Sequence, residues 1–257
     1  MIHKKIDGGK AFDWGRTSAD YARWRDIYPA KFYEKILELG MYKKGQHVLD
    51  IGTGTGVLPR NLYKYGAKIT GADASENQIK EARRLSEGMD IDYVCCRAEE
   101  IELSGFDVVS ACQCFHYFGH NTLAPKIAGM LNSGGLLGVM FMEWLPFDDK
   151  VAKESEELVL KYNPYWSGGS FKRKPLPIPE PYKQYFDVES REEFDVSVPF
   201  TRESWNGRMK SCRGIGASLS DVEIEKFEKE HLKMLSDIAD EEFKVLHFVS
   251  IVTLRKK

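Results

Sequence analysis

The chain lacks any run of about 18 or more uninterrupted apolar residues, the length that reads as a membrane-crossing helix. Its basic start, MIHKKIDGGKAFDWGR, has no apolar stretch behind it and does not read as a secretory signal. Both absences predict a cytoplasmic protein with no membrane partner. Excess charge of one sign is missing too: 37 Lys and Arg against 39 Asp and Glu leave a net charge of −2. Affinity for nucleic acid rests largely on neutralising phosphates, so no nucleic-acid partner is expected. Cysteine is scarce and odd in number, at 95, 96, 112, 114 and 212. Small buried thiols in a reducing compartment are the expected state. Cys112 and Cys114 form a C-x-C pair without a second pair at zinc-ligand spacing, and no metal site is expected. Internal repeats and low-complexity tracts are absent.

What the chain does have is alternation. From Pro29 to Leu39 the apolar residues Phe32, Ile36 and Leu39 recur at helical spacing, and Gly40 stops the run. His47–Ile51 is a short β-branched strand, followed by a glycine turn and a helical pattern over Leu58–Tyr65. Lys68–Ala72 predicts a second strand ending at Asp73, with a helix over Glu76–Leu85. Ile91–Cys96 and Phe106–Cys112 read as the next two strands, Asn121–Leu131 as a helix and Asn132–Gly135 as a turn. Leu136–Met142 reads as a fifth strand. Strands alternating with helices predict an α/β fold: a Rossmann-like, doubly wound sheet with helices on both faces.

After Trp144 the pattern changes. A Pro- and aromatic-rich stretch over 163–185 is too irregular for another strand–helix unit. A strand is expected near 194–198, a charged amphipathic helix from Asp221 to Ile238, and a closing strand over Val245–Leu254. The expected layout is an N-terminal lid and helix (1–40), a core (41–144), a helical, aromatic cap insertion (145–240) that contributes one core strand, and a closing reversed strand (241–257).

The turn after the first strand is Asp50-Ile51-Gly52-Thr53-Gly54-Thr55-Gly56. Glycines let a strand turn sharply and let backbone approach a ligand with no β-carbon in the way. The spacing is G-x-G-x-G, unlike the G-x-G-x-x-G of dinucleotide binders. Asp73 lies 21 residues beyond Gly52, at the end of the next strand, where a carboxylate can accept from both hydroxyls of a ribose.

Four segments in order carry a family resemblance. VLDIGTGTGVLPRNL, ITGADASENQIKEAR, Ala98-Glu99 before FDVVSACQCFHYF, and LNSGGLLGVM resemble the cofactor motifs of class I S-adenosylmethionine-dependent methyltransferases. The small-molecule members of the ubiquinone-biosynthesis and trans-aconitate types are the most similar. The resemblance implies S-adenosyl-L-methionine (SAM) as cofactor and a small-molecule substrate. It implies that Gly52, Thr53 and Gly54 run beneath the methionine part and that Asp50 approaches its ammonium directly or through water. Asp73 would hold the ribose, with Ala74 and Ser75 flanking the adenine, Ala98 and Glu99 edging it, and Gln78 also binding the cofactor. Gln113 would face the sulfonium. Where relatives have Asp or Asn before that alanine, this chain has Arg97, which cannot accept a hydrogen bond; Glu99 or a main-chain carbonyl must then serve the adenine.

Methyl transfer from a sulfonium is an in-line displacement that needs alignment above all. His116 is the candidate base, or a ring walling the pocket. Tyr21 and Arg25 would close over the cofactor, with Arg25 near its carboxylate. Glu143 is either a base or a helix cap. Trp144, Tyr162, Tyr165, Trp166, Phe171, Tyr182, Tyr185 and Phe186 would line an apolar pocket. Arg208 or Arg213 would meet a substrate carboxylate, or, with Arg202, pair with the acidic helix at 221–242. Three other readings stand beside this one: a nicotinamide oxidoreductase, a SAM-binding module without turnover that serves a protein partner, and a protein or RNA methyltransferase.

Overall fold

The structure, a computed structural model, describes residues 6–257; the first five residues of the basic start lie outside it. Seven strands form one sheet: β1 His47–Ile51, β2 Lys68–Asp73, β3 Ile91–Cys95, β4 Phe106–Cys112, β5 Leu131–Trp144, β6 Phe186–Thr201 and β7 Glu242–Lys256. Their order is β3-β2-β1-β4-β5-β7-β6. The first five pair in parallel. β7 is reversed: Arg255 reaches Gly134 near the start of β5, while Leu145, just past its end, donates to Leu246. The doubly wound sheet with a reversed final strand is therefore as expected.

β1 and β4 read as nearly continuous apolar runs because their central residues are buried on both faces. Between β1 and β2 runs the helix α3 (Val57–Leu62, numbered after α1 Ser18–Trp24 and α2 Ala30–Glu38), and between β2 and β3 runs α4 (Glu76–Leu85). The helix α5 (His120–Met130) precedes β5.

Two strands depart from expectation. Asn132–Gly135 is not a free turn but an irregularity inside β5. Leu131 pairs with Phe106 and Leu136 with Val108, and Gly134 takes φ 66° to absorb the extra residues. β6 is much longer than 194–198. Its first part alternates charged and partly buried residues, such as Glu189, Arg191 and Glu193, a pattern suited to a sheet edge.

The chain divides into two compact units. One comprises Tyr28–Met142, Pro175–Phe194 and Val249–Lys257 and carries the parallel strands. The other comprises the described part of Met1–Ile27 with Glu143–Lys174 and Asp195–Phe248. It contains α1 and three later helices, α6 Lys150–Tyr162, α7 Arg202–Lys210 and α8 Asp221–Ile238. Asp149 fastens α6 by accepting from Ala152 N at 3.0 Å and from Leu246 N at 2.8 Å. α7 and α8 both start with capping boxes, Thr201/Ser204 and Ser220/Glu223. Among the described residues, no helix is long and apolar enough to cross a membrane.

A polar chain runs through the interior of this second unit. Trp205, fully buried, donates to Ser155 Oγ at 2.9 Å. Ser155 Oγ is 2.9 Å from His231 Nε2, and His231 Nδ1 lies 2.8 Å from Asn206 Oδ1. Burial pushes the His231 imidazole down to about 3, so it is neutral in the folded protein. The unfolded chain therefore binds a proton that the folded one refuses. Stability is present above the ordinary histidine value of about 6.5 and is lost as pH falls below it. His231→Gln should lose about 1–2 kcal/mol near neutrality and markedly less in mild acid. Urea melts at both pH values check this; a gap that stays constant with pH would remove His231 from the acid transition.

Candidate functional site

The glycine turn leaves β1 at the point where strand order reverses, with β2 on one side and β4 on the other. Ligands of open α/β sheets bind at such switch points, beyond the carboxyl ends of the strands. Gly52, Gly54 and Gly56 take φ of 65°, 56° and 74°. A β-carbon on Gly52 would also stand 2.7 Å from Cys114 Sγ. Only glycine meets both demands.

Asp50 lies under this turn, 2% exposed. Its Oδ2 accepts from Thr53 Oγ1 at 2.7 Å and its Oδ1 from Ser110 Oγ at 2.6 Å. Because Ser110 gives its proton to Asp50, Tyr42 must donate to Ser110, at 2.7 Å. Burial pushes the Asp50 carboxyl up to about 6, against the pull of the two hydroxyl donors. Asp50 thus grips the turn from below.

Asp73 grips it from the side. Its Oδ2 accepts from Gly54 N and its Oδ1 from Ser75 N, both at 2.9 Å. Burial raises this carboxyl too, opposed by the two backbone donors. Ser75 caps α4 by accepting from Gln78 N at 3.4 Å; Gln78 is buried and Ala74 exposed.

At the end of β4, Gln113 takes φ 62°, an uncommon conformation for a residue with a β-carbon. Its N–H donates to Met140 O at 3.0 Å, and its side-chain amide donates to Met142 O. Strain of this kind concentrates at ligand sites. His116 follows on a short exposed turn, its ring centroid 4.0 Å from that of Tyr117. Ala98 is buried, and Glu99 accepts from Gly119 N at 3.0 Å, just ahead of α5. Arg97 Nε stands 3.8 Å from Glu99 and 3.7 Å from Glu100.

Asp50, Gly52, Thr53, Gly54, Asp73, Ala74, Ser75, Gln78, Ala98, Glu99 and Gln113 all belong to the unit that carries the parallel strands. Tyr21 and Arg25 belong to the other unit, where the Arg25 guanidinium lies over the Tyr21 ring at 4.6 Å. The aromatic residues fall in both units: Tyr182, Tyr185 and Phe186 in the one with the parallel strands, Trp144, Tyr162, Tyr165, Trp166 and Phe171 in the other. Tyr182 is fully buried against Phe115, His120 and Phe186, and Trp144 packs edge-on against Trp205. Glu143 sits inside β5, and Asp149 is the helix cap instead. Arg202 finds a partner in the acidic segment, Glu241 at 3.4 Å, and so does Arg16, Asp221 at 2.8 Å. Among the described residues no cluster of acidic, His or Cys side chains could hold a metal. The Cys114 thiol donates to Ile51 O at 3.1 Å, and burial pushes its pKa well up, so it is no thiolate nucleophile.

Sequence reasoning missed the Tyr42–Ser110 relay and the contact of Cys114 with Gly52. The signal was one polar residue, Ser110, in an apolar strand, but its pairing opposite Asp50 needs the β1–β4 register. Gly52→Ala should cost about 1–3 kcal/mol through left-handed strain plus the clash with Cys114. Wild-type stability in a urea melt would mean that the turn has another shape.

Comparison with known proteins agrees with this geometry. A methyltransferase domain model matches residues 48–135. The ubiquinone biosynthesis O-methyltransferase of Coxiella burnetii is 30% identical over 132 residues, 49% of this chain and 56% of the relative. That of Bradyrhizobium diazoefficiens is 32% identical over 146 residues, 54% of this chain and 56% of the relative. The chain thus spans just over half the length of these curated relatives. Among solved structures, a Bacillus halodurans C-125 protein assigned as a methyltransferase superposes with a TM-score of 0.54 at 16% identity, over 88% of this chain and 99% of that one. A protein of Anaeromyxobacter dehalogenans assigned as a type II methyltransferase gives 0.57 at 16% identity, over 88% and 96%. Fold, turn and family model coincide: the matched residues, 48–135, carry the glycine turn and strands β1 to β4.

Proposed function

We propose that the protein is a SAM-dependent methyltransferase that acts on a small molecule by in-line displacement. The observation that carries this reading is the glycine turn held by Asp73 and Asp50 at the switch point, with strained Gln113 at the end of neighbouring β4. These residues suit the cofactor chemically. Each Asp73 oxygen accepts one backbone hydrogen bond and keeps a lone pair for a ribose hydroxyl. Bare backbone at Gly52 and Gly54 allows close approach of the methionine part.

When bound, the cofactor supplies an activated methyl group and a leaving group that needs no protonation. The chain's own residues bind and align. Asp73 fixes the ribose, Ala74 and Ala98 flank the adenine, and Asp50 acts through Thr53 to keep the turn in place. Such alignment supplies roughly 7–11 kcal/mol in favourable cases. The scheme is common to O, N, S and C acceptors. His116, exposed beyond β4, takes the acceptor's proton where one must leave.

Calorimetry with SAM and S-adenosylhomocysteine should show saturable binding. Asp73→Ala should weaken it about 10²-fold, the worth of two hydrogen bonds to a charged group. Unchanged affinity would remove the ribose assignment. With an acceptor found by screening metabolites for S-adenosylhomocysteine release, His116→Ala should lower turnover by about 10²-fold or more while leaving cofactor affinity intact. Wild-type turnover across pH would return His116 to a wall of the pocket.

A further inference from the structure

The sequence offers Arg208 and Arg213 for a substrate carboxylate, with Arg202 near them in the chain. Arg213 is committed to Asp7, with Nε 2.7 Å from Oδ2 and Nη2 3.1 Å from Oδ1. Arg202 donates from Nε and Nη2 to Ala239 O and stands near Glu241. Arg208 is different. It lies on α7, 4% exposed, and its Nε and Nη1 are buried with no hydrogen-bond partner. Its guanidinium lies over the Trp144 ring at 4.8 Å. A desolvated cation rests on an aromatic face with donors unused.

Glu143, the residue before Trp144, has a buried Oε1 that is also without a partner. No direct ion pair joins it to Arg208 among the described residues. Other charged and titratable groups act on the pair: Tyr21 from α1 and Arg25 just past its end, Glu156 from α6, Cys212 beyond α7, and His247 from β7. Burial holds His247 down at about 4 and raises the Cys212 thiol, so both are neutral at physiological pH. Both Glu156 oxygens are in use, accepting from Trp144 Nε1 and Ser170 N. Arg208 therefore faces a carboxyl that keeps one buried oxygen unanswered. An unpaired buried cation with free donors is destabilising unless an anion completes it.

We propose that Arg208 is the binding group for a small carboxylate ligand, with Trp144 supporting the guanidinium and Glu143 balancing the charge as the anion enters. This anion site does not depend on the methyltransferase reading. Burial pushes the Glu143 carboxyl up to about 7, against the pull of Arg208 and Arg25. An incoming carboxylate disfavours its ionised form further, so Glu143 takes a proton from solvent on binding. Affinity is then greatest below that value and falls as pH rises through it.

The test uses the full chain and two matched pairs of probes, benzoate with benzamide and succinate with succinamide. Tryptophan fluorescence and thermal shift follow binding, with S-adenosylhomocysteine affinity measured in parallel. The carboxylates should bind and the amides should not. Arg208→Gln should weaken the carboxylates at least about 10-fold and leave S-adenosylhomocysteine affinity unchanged. Glu143→Gln should retain binding and abolish the loss of affinity between about pH 6 and about pH 8. Equal responses to acid and amide, no response to either carboxylate, or a pH slope that survives in Glu143→Gln would each overturn the proposal. Should Arg208→Gln fail to fold, the Glu143→Gln arm decides alone. Failure of the wild type to bind S-adenosylhomocysteine would sink the methyltransferase reading and leave the carboxylate arms readable.

Discussion

Two hydrogen bonds, from Gly54 N to Asp73 Oδ2 and from Thr53 N to Ala72 O, tie the turn after β1 to the end of β2. Backbone in the left-handed region has no ladder of its own, so its N–H groups need outside acceptors. Asp73 supplies one at the place where the parallel strands end and a ligand can enter. Remove that acceptor and the turn loses its position as well as a donor's partner. Thr53 is held in addition by Asp50 Oδ2 and by Ala72 O.

The second constraint works from beneath. Asp50 is an acid in the middle of an apolar sheet, which is tolerable because two hydroxyls donate to it and a third, Tyr42, completes the relay. Tyr42 itself takes φ 58° to reach Ser110. Backbone strain at Tyr42 and at Gln113 therefore brackets the same turn, one below and one beside it. Both distortions serve rigidity where a ligand would demand it.

Much of this was legible because local chemistry and global fold agree in the parallel half. The residues His47–Ile51, Glu76–Leu85 and Phe106–Cys112 have the observed bounds, since a buried strand admits almost nothing but apolar residues and a capped helix announces its start. The α6 and α7 helices were not legible. Lys150–Tyr162 buries Ser155 and Glu156 alongside Ala152, Leu158 and Val159, so polar residues interrupt its inner face, and Arg202–Lys210 has too few apolar positions to set a period. β6 was read short because an edge strand uses charge where a central strand uses valine. In the candidate site, the acids and glycines carry their own signature, but Tyr42, Ser110 and Cys114 act only through pairings that no local pattern encodes.

Two buried acids show how the same force yields different roles. Burial raises Asp50 to about 6 and Glu143 to about 7. Asp50 has a donor on each oxygen, so its charge is answered within the fold and the group serves as scaffold. Glu143 has a buried oxygen with no donor and, as neighbours, an arginine whose own donors are unanswered. Desolvation alone does not distinguish the two; the count of hydrogen-bond partners does. A satisfied buried acid resists change. An unsatisfied one beside an unsatisfied cation leaves a polar deficit that a ligand of the right charge can remove, and in this chain that deficit selects for an anion.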